Sequence, residues 1–164
     1  MANIDPHKIF QHVEKFYWVL EHLLRGENAK NIDKIAHPAV TISAFTSELY
    51  FKCLLSIKTG TFAAGHDLKK LFGAVDPQIR KRIEELWDAH IWEQHRTETL
   101  RHLEAKITTA VARDLSWALG AGSHAFEEAR YLYEDDKPNL KFILSDLPGI
   151  LRTILLELQP NWSQ

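Results

Sequence analysis

The feature that most constrains the fold of this chain is a long, mostly apolar stretch from Val40 to Ile57. On an α-helix its more polar side chains, Thr41, Glu48, Lys52 and Ser56, fall within about a quarter of the circumference, at 100° per residue. A helix that water can reach along so narrow a stripe has to be covered by protein elsewhere. We therefore expect a central helix, with Glu48 and Lys52 forming an i,i+4 ion pair along its one solvent-open stripe.

Length, charge and cysteine content restrict the class of protein. A chain of 164 residues is one ordinary domain, residues 1–164, and can fold without a metal or a disulfide. With 20 basic and 22 acidic residues, its formal charge of -2 argues against a surface that is basic throughout, although a local patch is compatible with it. The single cysteine, Cys53, lies in the apolar stretch, where we expect it to be buried and inert, and it indicates a reducing compartment.

The sequence also predicts the cellular compartment, through the features of secretory signals and membrane spans. Charges and histidines near the start occupy the place of the apolar stretch of a secretory signal. No apolar run approaches the ~20 residues that span a bilayer. The sequence therefore predicts a cytoplasmic protein with no membrane contact.

Capping pairs and apolar periodicity predict an all-α fold, a bundle of five to seven helices without strands. Asp5-Pro6 is a helix start, and Gly26 ends that first helix. Pro38 is expected to open the central helix, which ends at Thr59-Gly60.

Three further starts follow along the chain. Asp67 begins a short helix, and Asp76-Pro77 begins a long helical stretch whose apolar positions recur as far as Leu119. A single straight helix over that stretch would be about 63 Å long, so we expect a break between Asp88 and Thr97. Ser123 is predicted to cap the next helix.

The last helix has the cleanest amphipathic pattern in the chain. Ser145-Asp146 is predicted to cap it, with Pro148 in its first turn. Apolar residues from Leu147 to Leu158 then keep helical spacing.

Nine histidines raise the question of a metal site. His95, Glu98 and His102 have i, i+3, i+7 spacing, so a helix would place two imidazoles and a carboxylate on one face. No second helix with histidines and carboxylates at such spacing is predicted to supply further ligands, so we expect a solvated face and no bound metal. Nucleotide-binding and hydrolase signatures are also absent, and no cofactor is predicted.

Two groups of basic residues were considered as anion sites. The run Arg80 to Arg82 is followed by acids on the same helix, which predicts a mixed-charge surface. Arg130 lies in EEARYLYE, where apolar neighbours are expected to face inward, so its guanidinium needs an anionic partner. Two interpretations stay open for Arg130: a structural ion pair with Glu48 or Glu134, or contact with a ligand or RNA phosphate.

Three pieces of the sequence resemble a known family. The first is the pattern A-x-x-x-E-L-x-x-K-x-L-L, carried by Ala44, Glu48, Leu49, Lys52, Leu54 and Leu55. The second is G-H-D-L-x-x-L, from Gly65 to Leu71, and the third is A-R-Y, from Ala129 to Tyr131. Together, over roughly Phe45 to Glu134, they resemble the HEPN domain superfamily.

The resemblance implies an up-and-down helical bundle, commonly a homodimer, acting in RNA cleavage, toxin-antitoxin pairs, phage defence or nucleotide binding. Catalytic members cleave RNA without metal, using an arginine and a later histidine with four to six residues between them. After Arg130, that spacing falls on residues 135–137, which are two aspartates and a lysine, so the usual ribonuclease site is expected to be missing. Arg96 and His102 fit the spacing by letter, but on one helix they diverge by about 120°.

These observations favour an HEPN-like module that binds RNA, a nucleotide or a protein partner such as a cognate antitoxin or nucleotidyltransferase. Its predicted binding residues are Glu48, Lys52, His66, Asp67 and Arg130.

Two alternatives were retained. One is a metal-independent endoribonuclease whose catalytic residues are Arg96 and His102, or Arg130 with a histidine such as His66. The other is a protein-binding homodimer without nucleic-acid activity. Its interface would be formed by the aromatic residues Trp18, Trp92 and Trp162.

Overall fold

The protein is mostly helical in the part of the chain that its structure describes. A computed structural model describes residues 4–25, 32–107, 110, 112–124 and 145–163. These ranges contain no strand and seven α-helices: α1 (Pro6–Leu24), α2 (Ile32–Thr59), α3 (Leu68–Ala74), α4 (Pro77–Ile91), α5 (Gln94–Ile107), α6 (Leu115–Ser123) and α7 (Leu147–Leu158). A 3₁₀ helix, Pro160–Ser163, follows α7. The predicted all-α bundle is confirmed.

Helix α2 is the centre of the bundle, as its apolar pattern predicts. It packs against α1, α3, α6 and α7. From Ser43 to Ser56 every side chain except that of Phe45 is buried, and apolar surface removed from water contributes about 25 cal/mol per Å² to stability. All seven helices contribute side chains to the one core around α2.

The start of α1 is fixed by the predicted capping pair. Asp5 accepts a hydrogen bond from the backbone N–H of His7, and Pro6 occupies the first turn. The thiol of Cys53 donates to the carbonyl of Pro6 at 3.3 Å. Burial raises the pKa of Cys53 to about 12, so this thiol is a packed, unreactive group, as expected.

The prediction that Pro38 opens the central helix is wrong. Helix α2 begins at Ile32 and contains Pro38 in its interior. A proline has no N–H to donate to the carbonyl four residues before it, here that of Lys34. The helix continues through this position because one missing bond is a small fraction of a 28-residue helix whose later turns are buried.

The expected break after α4 is confirmed. Helix α4 ends at Ile91 and α5 begins at Gln94. The predicted capping pair at the start of α4 is also present. Asp76 accepts a hydrogen bond from the N–H of Gln78 and is followed by Pro77.

The spacing of the apolar residues after the break predicted one helix up to Leu119. The structure has two helices there instead. Helix α5 ends at Ile107, and α6 begins only at Leu115. Asp114 accepts a hydrogen bond from the N–H of Trp117 at 2.7 Å. This cap begins a new helix where periodicity alone indicated continuity.

The prediction that Ser123 caps a further helix is also wrong. Ser123 is the last residue of α6, and its hydroxyl accepts the N–H of Leu68 at 2.9 Å. It therefore holds the end of α6 against the start of α3. The helix predicted after Ser123, with Arg130 and the A-R-Y piece, lies outside the described residues.

Helix α7 carries the predicted apolar stripe. Its buried residues are Leu147, Pro148, Ile150, Leu151, Ile154 and Leu155. Asp146 is the N-cap residue of the helix, at the predicted start, but its side chain makes no capping hydrogen bond. Its carboxylate is hydrogen-bonded to side chains of other helices instead.

One segment, His37–Thr59 within α2, is long and apolar enough to meet the composition of a membrane span. The expectation that no segment approaches this length is therefore wrong, because only Glu48, Lys52 and Lys58 are charged in it. In the fold, 78% of the tested window is buried inside the protein. The surroundings of this segment are thus mostly the other helices of the bundle.

Candidate functional site

Glu48 and Lys52 form a buried ion pair on α2. Lys52 Nζ lies 2.7 Å from Glu48 Oε1, and the side chains of Lys52 and Glu48 are only 4% and 5% exposed. The i,i+4 pair expected from the spacing is present, but the expectation that it lies on a solvent-open stripe is wrong. The chain that follows α2 folds back and covers it.

Two side chains of segment 60–67 form this cover. His66 Nδ1 lies 3.0 Å from Glu48 Oε1, the same oxygen that binds Lys52. The ring of Phe62 lies 4.7 Å from Lys52 Nζ, a cation–π contact. Three of the five predicted binding residues therefore meet, namely Glu48, Lys52 and His66. The ion pair between Glu48 and Lys52 is buried from solvent.

The backbone of the cover depends on two glycines. Gly60 has φ 64° and Gly65 has φ 89°, a left-handed conformation that glycine adopts without the clash of a Cβ atom. These two positions let the chain leave α2, return over it and enter α3.

Of the other two predicted binding residues, Asp67 is described and is not part of this group. Asp67 is the N-cap of α3: its carboxylate accepts the N–H of Lys70 at 3.1 Å, and this hydrogen bond lowers the pKa of Asp67. It also lies 3.2 Å from the hydroxyl of Ser123, so its contacts stabilise a helix start. Arg130 lies outside the described residues, and its contact with Glu48 stays a prediction.

The structure does not bring Arg96 and His102, the predicted catalytic residues, together. Both lie on α5, where six positions turn the helix so that their side chains point about 120° apart. His102 is exposed, whereas the side chain of Arg96 is only 11% exposed. Arg96 Nη2 donates a hydrogen bond to Asp146 Oδ2, at the start of α7.

A different histidine shares that carboxylate. His90 Nε2, on α4, lies 3.0 Å from Asp146 Oδ1. One carboxylate is thus held between a guanidinium and an imidazole, and we refer to Arg96, Asp146 and His90 as the Arg-Asp-His cluster. Arg96 Nε is buried without a hydrogen-bond partner, so Asp146 does not satisfy every donor of the guanidinium.

The cluster changes the charge of its histidine. The hydrogen bond to Asp146 raises the pKa of His90, with help from the charges of Asp146 and Glu93, while burial and the charge of Arg96 oppose the rise. His90 is therefore protonated over a wider pH range than a free imidazole.

Trp92 stands exposed two positions after His90, at the end of α4. Its side chain is 62% exposed, and the guanidinium carbon of Arg113 lies 5.3 Å from its ring. Arg113 also pairs with Glu104 at 3.1 Å. The backbone of Arg113 is fixed because its carbonyl accepts the indole N–H of Trp87 at 2.9 Å.

Sequence reasoning missed His90 and Asp146 as partners of Arg96. His90 and Asp146 are 56 positions apart, so no local spacing connects them. The position of Asp146 just before a proline-containing helix start indicates a cap, and nothing in that pattern signals that its carboxylate is used elsewhere.

The histidine-rich face of α5 stays a solvated surface. His95, Glu98 and His102 are exposed, and Glu98 accepts a hydrogen bond from Gln94 at 3.1 Å. Within the described ranges, no three histidine, cysteine or acidic side chains are grouped closely enough to hold a metal ion.

The basic run on α4 is a mixed-charge surface, as predicted. Arg82 pairs with Glu157 of α7 at 2.8 Å, and Lys81 lies 3.8 Å from Glu85.

Two of the three tryptophans predicted to form an interface are exposed. Trp18 is 67% exposed and stacks on His22, and Trp92 is 62% exposed. Trp162 is only partly exposed, because its ring packs 5.1 Å from that of Phe10 at the edge of the core. The expectation for Trp162 is therefore wrong.

Comparison of the chain with protein-family models, with curated proteins and with solved structures finds no match.

Proposed function

We propose that this chain is an HEPN-like helical module that binds single-stranded RNA at the Arg-Asp-His cluster and Trp92. The observation that carries the proposal is the carboxylate of Asp146 held between Arg96 and His90. Two cationic donors from different helices converge on one anion. The phosphate groups of nucleic acids are anions that such donors bind.

The exposed Trp92 supplies the second element of such a site. Unpaired RNA bases stack on aromatic side chains and on guanidinium planes. Trp92, two positions after His90, offers the aromatic ring, and Arg113 offers the guanidinium next to that ring. The formal charge of -2 limits the long-range attraction, so the affinity depends on these few contacts.

The test is the fluorescence anisotropy of a labelled single-stranded oligoribonucleotide of about 12 nucleotides, titrated with protein at low and at high salt. We expect binding that salt weakens. His90→Ala and Arg96→Gln are each expected to weaken it about tenfold, because a hydrogen bond to a charged group is worth about 1.5–3 kcal/mol. Absence of binding by the unmodified protein would overturn the proposal.

Two further variants sharpen this test. His102→Ala, the other histidine near Arg96 in sequence, is expected to bind RNA like the unmodified protein. Asp146→Asn removes the negative charge that competes with phosphate and is expected to bind RNA more tightly, whereas unchanged or weaker binding would contradict a phosphate site at this position. Thermal unfolding of each variant shows that it is folded.

A catalytic version of the same site is the second candidate, because Arg96 and His90 meet at one carboxylate. The 2′-hydroxyl of the RNA would be the nucleophile, with His90 moving a proton and Arg96 stabilising the phosphate charge. RNA cleavage that persists in EDTA, is lost in His90→Ala and is unchanged in His102→Ala supports it. Cleavage that persists in both variants removes His90 from the mechanism.

The proposed partners are RNA and a second copy of the chain, with a cognate antitoxin or nucleotidyltransferase in a toxin-antitoxin or defence setting. The exposed Trp18 on α1 is the proposed contact of the homodimer, because Trp92 is assigned to the RNA site. Light scattering of the purified protein tests this, and a monomer at every concentration would contradict it.

A further inference from the structure

A groove lies between the start of α1, the middle of α2 and segment 60–67. Its volume is about 570 Å³, within the range of small-molecule sites. The lining is mainly apolar, with polar side chains only from α1, and consists of Ile4, Asp5, Lys8, Ile9, His12, Leu49 and Phe62.

The polar part of the groove contains one aspartate, one lysine and one histidine, and the lysine and the histidine can donate hydrogen bonds to an anion. Lys8 and His12 are exposed and four positions apart, so they lie on the same face of α1. Among the residues that the structure describes, neither forms an ion pair with an acid. The one acid, Asp5, is engaged in capping α1 through the N–H of His7.

Phe62 connects this groove to the buried ion pair. It is 47% exposed and lines the groove, and Lys52 Nζ lies 4.7 Å from its ring. An exposed phenyl ring at the edge of a groove offers a flat apolar surface to a ligand. The charge of Lys52 behind that ring is balanced by Glu48 at 2.7 Å, so Lys8 and His12 are the groups of the lining that remain to contact an anion.

We propose that this groove binds a small organic anion, whose apolar body lies on Ile9, Leu49 and Phe62 and whose anionic group contacts Lys8 and His12. The ligand class follows from the two halves of the lining. Apolar walls without cations would accept neutral molecules equally well, and cations without walls would accept inorganic anions. The site lies on α1 and α2, whereas the proposed RNA site lies on α4, α5 and α7, so the two proposals are independent.

The test uses two fluorescent probes of similar shape, anionic anilinonaphthalene sulfonate and neutral N-phenylnaphthylamine, titrated into the folded protein. We expect the double variant Lys8→Ala/His12→Ala to bind the sulfonate about three- to tenfold more weakly and the neutral probe unchanged. Phe62→Ala is expected to weaken both probes. Lys81→Ala, which removes an exposed charge on α4, is the matched control and should change neither.

Competition then identifies the ligand chemistry. Decanoate and naphthoate, an aliphatic and an aromatic carboxylate, are each tested for displacement of the sulfonate, and displacement by either supports the proposal. Displacement by inorganic phosphate alone, or sulfonate binding that Lys8→Ala/His12→Ala and Phe62→Ala leave unchanged, would overturn it. Thermal unfolding confirms that each variant is folded, which excludes dye binding by an unfolded chain.

Discussion

Lys52 and Glu48 show what a buried charge requires of its neighbours. Lys52 has Glu48 Oε1 at 2.7 Å and the ring of Phe62 at 4.7 Å, and Glu48 has a second contact with His66. Removal of two charges from water disfavours folding by several kcal/mol per ion, and their mutual attraction offsets this only where the geometry is good. Each member of the pair, without the other, would be a buried and unpaired charge.

A single substitution in this pair is therefore expected to be costly. Glu48→Gln leaves the charge of Lys52 buried and unpaired, and we expect a loss of about 3–5 kcal/mol in the free energy of unfolding, measured by urea denaturation. The double variant Glu48→Gln/Lys52→Met should recover a large part of that loss.

The matched control is Lys58→Ala, which removes the exposed lysine paired with Asp76 at 3.4 Å. An exposed pair contributes about 0–1 kcal/mol. A loss in Glu48→Gln no larger than that of the control would show that the Glu48–Lys52 pair is solvated in solution.

The raised pKa of His90 predicts that its contribution to stability depends on pH. Because the folded pKa is raised above 6.5, the contribution of His90 to stability is complete below the unfolded pKa and is lost as pH rises through the folded pKa. His90→Gln keeps hydrogen-bonding capacity but not the charge. We expect it to destabilise the protein more at about pH 5.5 than at about pH 8.5 in urea denaturation.

The groups that face His90 set the sign of that difference. Asp146 and Glu93 favour the charged imidazole, and Arg96 disfavours it. An equal effect of His90→Gln at both pH values would mean that the pKa of His90 is not raised in the folded protein.

Sequence alone predicted contacts between near neighbours better than contacts between distant ones. The ion pair of Glu48 and Lys52 follows from i,i+4 spacing, whereas its burial depends on how the chain folds back at Phe62 and His66. The contact of Arg96 with Asp146 joins residues 50 positions apart. No periodicity within one helix contains that information.

Helix starts were the most predictable elements, because their chemistry is local. The caps at Asp5, Asp67 and Asp76 were expected and are present. Asp114 was overlooked because apolar residues at helical spacing continue past it. Asp146 occupies the expected N-cap position of α7, but its carboxylate binds side chains of other helices.

Pro38 offers a direct test of one helix boundary. If α2 begins at Ile32, Pro38→Ala restores an N–H for the helical carbonyl of Lys34 and should stabilise the protein by about 1–3 kcal/mol, measured by thermal or urea unfolding. A proline in the first turn would instead be neutral or favourable. A neutral or destabilising effect of Pro38→Ala would therefore return the helix start to Pro38.

At the scale of the whole molecule, a polar link joins the first, central and last helices. Glu14 of α1 accepts hydrogen bonds from Tyr50 of α2 at 2.5 Å and from Arg152 Nε of α7 at 2.9 Å. Arg152 also lies over the ring of Tyr17. Burial and the hydrogen bond to Glu14 raise the pKa of Tyr50, so its hydroxyl stays protonated and keeps donating.

A double-mutant cycle of Tyr50→Phe and Arg152→Met measures this link. Because both residues bind the same carboxylate, we expect a coupling energy of about 0.5–3 kcal/mol from urea denaturation. The comparison cycle uses Arg82 and Glu157, an exposed pair between α4 and α7, where about 0–1 kcal/mol is expected. A coupling at Glu14 no larger than at this surface pair would show that the link does not act as a unit.

The bond between Glu14 and Arg152 spans 138 positions of the chain, and this has a consequence for synthesis on the ribosome. While α7 is still inside the exit tunnel, α1 and α2 have emerged, so Glu14 can pair with Tyr50 but not yet with Arg152. Contacts between such distant residues form slowly, and the exposed apolar surface of an unfinished bundle attracts other chains. The bundle should therefore close only after α7 has left the exit tunnel.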